Sequence, residues 1–187
     1  MANVNAPNGL TPVGHLLGGE IRVKKYRIAS GLAENIGFGA PVKSTGTTKR
    51  IQLAAASDVL RGVFAGVKYT DSNGNTTFSK NWVSGTTTLN SAEAEAYVYD
   101  DPWIIYEVQA DGTFAEADIG LNADLTTGAA SSGISTAEVD LATKATTAAL
   151  QVKILDYVRR EDNEVGADTK LLVLINEHEL KATTAGV

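Results

Sequence analysis

Val63, Ala65, Val67 and Tyr69 recur at every second position, and the run ends in Asp71-Ser72-Asn73-Gly74-Asn75. A period of two places these four side chains on one face of an extended strand, because successive side chains of a strand point to opposite faces. The residues that follow tolerate a left-handed backbone, Asn-Gly above all, so the chain is expected to reverse there into a second strand over 76–82. A helix satisfies neither half of this pattern. The rest of the chain repeats the theme in shorter runs, and no stretch carries an apolar stripe at helical spacing over three turns. The expected fold class is all-β: a β-sandwich or barrel, jelly-roll-like, with an extended N-terminal arm and a long loop excursion rich in Ala, Thr, Ser and Gly.

The boundaries follow from composition. Residues 1–19 hold two of the four prolines together with Gly9, Gly14, Gly18 and Gly19, and only 13–17 look apolar, which suits an extended arm. A single β domain is expected over 20–180 and a small, polar, flexible tail over 181–187. Within the domain, the first strand is expected over 21–28. Ile21 and Val23 share one face but Tyr26 and Ile28 the other, so a β-bulge is expected near Lys24 and Lys25. Short extended pieces at 41–43 and 51–53 flank the turn cluster at 44–48, and 54–60 reads as one helical turn. A second strand pair, 96–100 and 103–109, is split by Asp101-Pro102, and Asp111-Gly112 turns the chain again. Trp103, Ile104 and Ile105, apolar in succession, imply burial on both faces. The segment 119–148 has few large apolar anchors and reads as a loop-rich surface excursion with one short strand at 138–141. Strands over 150–158 and 171–176 close the domain, the last a continuous apolar run suited to the centre of a sandwich.

Charge and composition narrow the function. A net charge of -6 is the wrong sign for neutralising phosphates, so nucleic acid is not an expected partner. There are no cysteines, hence neither disulfides nor thiolate metal ligands. The N-terminus lacks a basic start and an apolar run, and no later stretch approaches the length of a membrane span, so no membrane partner is expected and the chain reads as one made and kept in the cytoplasm.

The chemistry-bearing residues do not assemble into a motif. His15 and His178 are far apart in sequence; His15 reads as part of the arm and His178 as a cap on the last strand. There is no Gly-x-Ser-x-Gly elbow and no phosphate loop. Asp71, Asn73 and Asn75 open like a calcium loop, but Thr76 stands where that loop needs glycine and Trp82 where it needs a bidentate glutamate. Asp100 and Asp101, adjacent on a strand, point to opposite faces and read as a solvated turn. Asp162 and Glu164 read as a loop that hydrogen-bonds a neighbouring subunit, with hydrolysis a weaker alternative. No catalytic residue, cofactor or metal is expected, and the chain is read as a non-enzyme. Tyr97, Tyr99, Trp103 and Tyr106 cluster in one region. They read as core and hairpin packing or as an exposed interface patch, and are the interface candidates.

Four segments carry a resemblance: the run from Asp58 to Trp82; Ala96-Tyr97-Val98-Tyr99-Asp100-Asp101-Pro102; Tyr106-Glu107-Val108-Gln109-Ala110-Asp111-Gly112; and Val173-Leu174-Ile175-Asn176-Glu177-His178. Together they resemble the head decoration, or capsid cement, proteins of tailed bacteriophages, which are encoded beside the major capsid protein. The similarity covers most of 20–178, lies in strand and turn patterns, and brings no site residues with it. It implies an accessory β-sandwich or barrel, made in the host cytoplasm, that binds the major capsid protein on the outer surface of the mature virion and stabilises the shell. Lattice symmetry further implies a homo-oligomer, a trimer rather than a dimer. The alternative is a carbohydrate-binding or adhesion β-module, which the aromatic cluster and the calcium-like loop would serve.

Overall fold

The computed structural model describes residues 3–45 and 47–181. Along the chain the strands are β1 (Thr11–His15), β2 (Lys24–Ile28), β3 (Pro41–Ser44), β4 (Ile51–Leu53), β5 (Gly62–Thr70), β6 (Thr76–Ser79), β7 (Ala94–Tyr99), β8 (Ile104–Gln109), β9 (Asn122–Leu125), β10 (Ala130–Ser131), β11 (Ile134–Ser135), β12 (Val139–Ala145), β13 (Val152–Tyr157) and β14 (Lys170–Ile175). Helix is confined, among the described residues, to single turns at Leu89–Ser91 and Glu116–Asp118. One sheet runs β1-β8-β14-β13-β9-β12; the other runs β2-β7-β5-β3-β4 with β6 paired on β5; β10 and β11 form a small ribbon. Every strand pair is antiparallel. The fold is all-β and consistent with a β-sandwich. A bridge between Ala110 and Val139 curls the first sheet back towards β8, without closing a barrel.

Alternation builds two cores. Ala94, Ala96 and Val98 of β7 join Ile28, Val42, Phe64 and Trp82 in one; Tyr106 and Val108 of β8 join Val152, Ile154, Leu171 and Val173 in the other. Each such large side chain contributes about 1.5–3 kcal/mol when fully removed from water. The hairpin forms where Asn73-Gly74 predicts it. Thr70 pairs with Thr76, Gly74 takes a positive φ, and the Asp71 carboxylate accepts the backbone N–H groups of Asn73 and Asn75.

Several expectations are corrected. The clean alternation of β5 breaks where its register against β7 shifts between Phe64 and Gly66, so Val63 faces one core while Phe64 and Val67 face the other. An added residue at a bulge inverts which face each following side chain takes. No bulge occurs near Lys24: β2 starts there, leaving Ile21 and Val23 exposed before it. The expected helical turn over 54–60 is irregular, with Leu60 bridged to His178.

The N-terminal segment is not a free arm. Thr11–His15 pairs with β8, Leu10 is fully buried, and Asn3 brackets the β13–β14 loop by donating to the carbonyls of Glu164 and Ala167 while accepting from Glu164 N–H. Pro12 is tolerated because β1 is an edge strand. The excursion at 119–148 is likewise part of the body. Asn122–Leu125 is entirely buried between β13 and β12, its small and polar residues fitting because Gln151 and Thr143 hydrogen-bond its backbone and Thr147 holds the Asn122 amide. Of the expected tail, Lys181 is held in place, donating to the carbonyls of Ile175 and Asn176; 182–187 lie outside the described residues.

Candidate interaction surface

The four interface candidates go to different places. Tyr97 points outward from β7, donates to Glu95 Oε1 at 2.7 Å and lies under the Lys25 ammonium; the bond to Glu95 raises its phenol above the usual range. Tyr99 packs against the first sheet's core. Tyr106 is fully buried and cannot meet a partner, a correction that follows from the alternation of β8, which turns Ile104, Tyr106 and Val108 inward together. Its hydroxyl donates to the Tyr99 carbonyl at 3.3 Å, and burial pushes the phenol well above its ordinary value. Trp103, at the turn before β8, is 38% exposed, so the expected burial on both faces fails there.

Around Trp103 the structure gathers side chains that sequence reading left in the arm. The His15 imidazole organises this surface. Its Nδ1 accepts the backbone N–H groups of Leu17 (3.2 Å) and Gly19 (2.9 Å), and its Nε2 lies 3.3 Å from Asp101 Oδ2. Because Nδ1 accepts, the proton sits on Nε2 and is donated to the carboxylate. Burial works against ionising Asp101, but the Trp103 N–H and His15 together hold its carboxyl below the usual range.

So braced, the loop between β1 and β2 projects Leu16 and Leu17, the latter 68% exposed, and then Ile21 and Val23. Leu16 N–H donates to the Trp103 carbonyl at 2.9 Å, and the Lys181 ammonium sits 5.6 Å from the indole centroid. Exposed Leu180 and Val23 line a shallow hollow of about 360 Å³ with Arg22, Lys24, Asp100, Asp101 and Pro102. Val23 and Leu180 thus share one hollow with charged groups, while Leu16 and Leu17 stand out from the braced loop beside it in sequence. The loop's trace in the sequence is the run Leu16-Leu17-Gly18-Gly19-Glu20-Ile21-Arg22-Val23, whose apolar pairs belong to neither a strand face nor a helix stripe.

Beside this surface lies a buried polar clasp. The Tyr26 hydroxyl donates to Asp100 Oδ2 at 2.6 Å and accepts from Arg61 Nε and Nη2; Arg61 Nη1 donates to Glu179, whose other oxygen accepts Ser44 N–H at 2.7 Å. Burial, then the bond to Asp100, pushes the Tyr26 phenol up to about 12. Asp100 is therefore a buried tie between β2 and β7, not a solvated turn residue. His178 is also fully buried, with Nδ1 accepting Leu180 N–H and Nε2 without a hydrogen-bond partner.

The remaining candidates are occupied locally. Asp71 spends its carboxylate on the hairpin backbone, led by Asn75 N–H, which lowers its pKa. Asp162 is exposed and paired with Arg160, and Glu164 lies in the loop bracketed by Asn3. Among the described residues no three His, Asp or Glu side chains are placed to hold a metal ion, and no helix is long and apolar enough to cross a membrane. No family model, curated protein or solved structure matches the chain.

Proposed function

We propose that this chain decorates the outer surface of a mature tailed-phage capsid, where it binds the major capsid protein and cements the shell without catalysis. The observation that carries this reading is the loop braced by His15, which exposes Leu16, Leu17, Ile21 and Val23 and is tied by Leu16 to Trp103: exposed apolar side chains scattered singly are ordinary, whereas several carried on one braced loop mark an interaction site. The strand and turn segments that resemble decoration proteins support it. They form the β5–β6 hairpin, β7, β8 and the end of β14.

The mechanism needs only selective binding. A protein that binds the assembled, expanded lattice and not its open form stabilises the former by mass action, and so raises the temperature or pressure at which the shell fails. A homo-oligomer, a trimer before a dimer, matches a lattice symmetry point and makes several equal contacts at once, each of them modest. The copy number in purified virions tests the reading: hundreds of copies per particle support decoration, whereas a few copies at the tail would favour the adhesion alternative, for which outward-facing Tyr97 and the exposed Trp103 and Phe78 are available aromatics.

A further inference from the structure

We propose that the outer face of the second sheet, where Lys25, Arg27, Lys68, Glu95, Tyr97 and Phe78 stand together, binds an anionic polysaccharide whose sugar rings carry carboxylates. The inference goes beyond the proposed function and uses none of the residues on which that reading rests.

The sheet register places these side chains next to one another. Ala94, Ala96 and Val98 of β7 point into the second core, so Glu95 and Tyr97 point the other way. Arg27 pairs with Glu95, Glu95 with Lys68, and Lys68 with Phe78, while Lys25 pairs with Tyr97. Directly opposed residues of an antiparallel pair share a face, with Cβ atoms about 4.5–5.5 Å apart, so one row of side chains crosses β2, β7, β5 and β6 without a gap. Two open hollows of about 530 and 190 Å³ border this row, and Glu93 and Glu95 line both. Lys49 lines the first hollow and Thr70 the second.

Three properties of the face select the partner. The first is charge. Lys25, Arg27, Lys49, Arg50 and Lys68 gather around Glu93 and Glu95 on a chain of net charge -6, and Asp71, beyond Thr70, spends its carboxylate on the hairpin backbone. Cations on β2 protect a sheet edge, but β5 has neighbours on both sides and still presents Lys68. The second is the mixture of groups. The ammoniums donate to carboxylates, and Glu95 takes both Tyr97 and Lys25 through Oε1, so Oε2 has lone pairs for a hydroxyl donor. Lys25 Nζ lies 5.9 Å from the Tyr97 ring centre and Lys68 Nζ 5.4 Å from that of Phe78, so a carboxylate bound at either cation brings its sugar against the adjoining ring, which offers apolar area. A carboxylated sugar supplies all three counterparts. A phosphodiester backbone brings acceptors to a face with carboxylates at its centre, and the chain's net charge opposes it. The third is the backbone. An extended peptide gains affinity from main-chain bonds to a free sheet edge, whereas β7 and β5, at the centre of this face, are paired on both sides.

Titration calorimetry of the purified full chain with an oligomer of galacturonic acid tests this, beside a neutral glucose oligomer of the same length, polyglutamate and single-stranded DNA. The galacturonate oligomer is expected to bind saturably, more weakly as salt rises, and more tightly than the other three. Lys25→Ala, Lys68→Ala and Phe78→Ala should each weaken its binding roughly tenfold. Lys153→Ala removes an equal charge from an exposed position on β13, in the other sheet, and should leave binding unchanged. All four side chains lie on the surface, and circular dichroism and melting check that each variant folds.

Absence of saturable galacturonate binding at millimolar concentration would overturn the inference. So would an equal loss in Lys153→Ala, which would show that overall charge alone draws the polymer. Tighter binding of polyglutamate or of DNA would refute it by assigning the face to an acidic protein or to nucleic acid, and equal binding of the neutral oligomer would refute the role of charge. Capsid binding separates the two proposals. Lys25→Ala and Phe78→Ala are expected to bind capsids as the wild type does; if they fail to, the face belongs to the capsid and this inference falls while decoration stands. Saturable galacturonate binding by a chain that ignores capsids would do the reverse.

Discussion

His15 and Asp101 are joined across the turn ends of β1 and β7, imidazole Nε2 to carboxylate Oδ2 at 3.3 Å, and this contact sets the shape of the loop that carries the exposed leucines. The same ring accepts two loop N–H groups, so one side chain satisfies three partners. His15→Ala is expected to cost about 1–2 kcal/mol, since each neutral hydrogen bond contributes about 1 kcal/mol and solvent replaces some of them. The sharper readout is amide exchange: Leu17 and Gly19 should exchange faster while the β13–β14 amides keep their protection. Unchanged exchange at both positions would show that the loop holds its shape without the imidazole.

Acid stability should depend on His178. Burial, then the positive charges of Arg61 and Lys181, lowers its pKa from 6.5 to about 4, with Asp100 and Asp101 partly opposing. The folded state therefore resists a proton that the unfolded chain accepts. The contribution is fully present above the unfolded value and is lost as pH falls from 6.5 to about 4, at about 1.4 kcal/mol per pH unit and about 3 kcal/mol in total. Glu138 and Glu177, whose pKa values are raised by burial and then by neighbouring carboxylates, take up protons in the folded state and offset part of the loss. Urea denaturation across this window should show the slope, and His178→Gln should flatten it. An equal slope in the variant would place the acid sensitivity elsewhere.

Gly62 should be far less replaceable than Gly120. Both have positive φ, but a Cβ on Gly62 would overlap the Tyr99 carbonyl oxygen within the β5–β7 ladder, while one on Gly120 meets open space. Gly120→Ala carries only backbone strain, on the order of 1 kcal/mol, whereas Gly62→Ala adds a steric clash with a strand and should cost roughly 3 kcal/mol or more. Chemical denaturation of the two variants side by side gives the comparison, and equal midpoints would contradict it.

Gln151 should act as a joint between the sheets. Its amide donates to the carbonyls of Ala55 and Asp58 at 2.9 Å each, its side-chain oxygen accepts Leu125 N–H, and it is almost wholly buried. Gln151→Ala leaves the buried Leu125 N–H and two partly buried carbonyls without their partner and should destabilise the chain by about 2–3 kcal/mol, read from the urea midpoint. A loss below about 1 kcal/mol would mean that the loop at Ala55–Asp58 re-forms its bonds with water.

What was legible in the sequence was local. Asp71 and Gly74 lie within the hairpin they shape, and Leu171 to Ile175 announce a buried strand by themselves. What was not legible depends on distant partners. Asp124 and Leu125 read as loop because nothing nearby reveals that Gln151 and Thr143 complete their hydrogen bonds. Thr11–His15 read as an arm because the acceptor strand lies about ninety residues further on. The aromatic cluster misled because alternation on β8 sends Tyr106 inward, while the turn leaves Trp103 outside, and the leucines that join Trp103 come from the far end of the chain. The β5 bulge was hidden because Ala65 and Gly66, at the register shift, carry too little side chain to mark a face.

The central claim is that the chain cements a capsid by binding alone, and reconstitution tests it most directly. Purified protein is titrated onto mature capsids that lack it, and both the number of copies bound and the temperature of shell disruption are measured. Saturation in numbers matched to the lattice symmetry, with a raised disruption temperature, is the predicted result. Absence of saturable binding, or full occupancy with an unchanged disruption temperature, would contradict the claim.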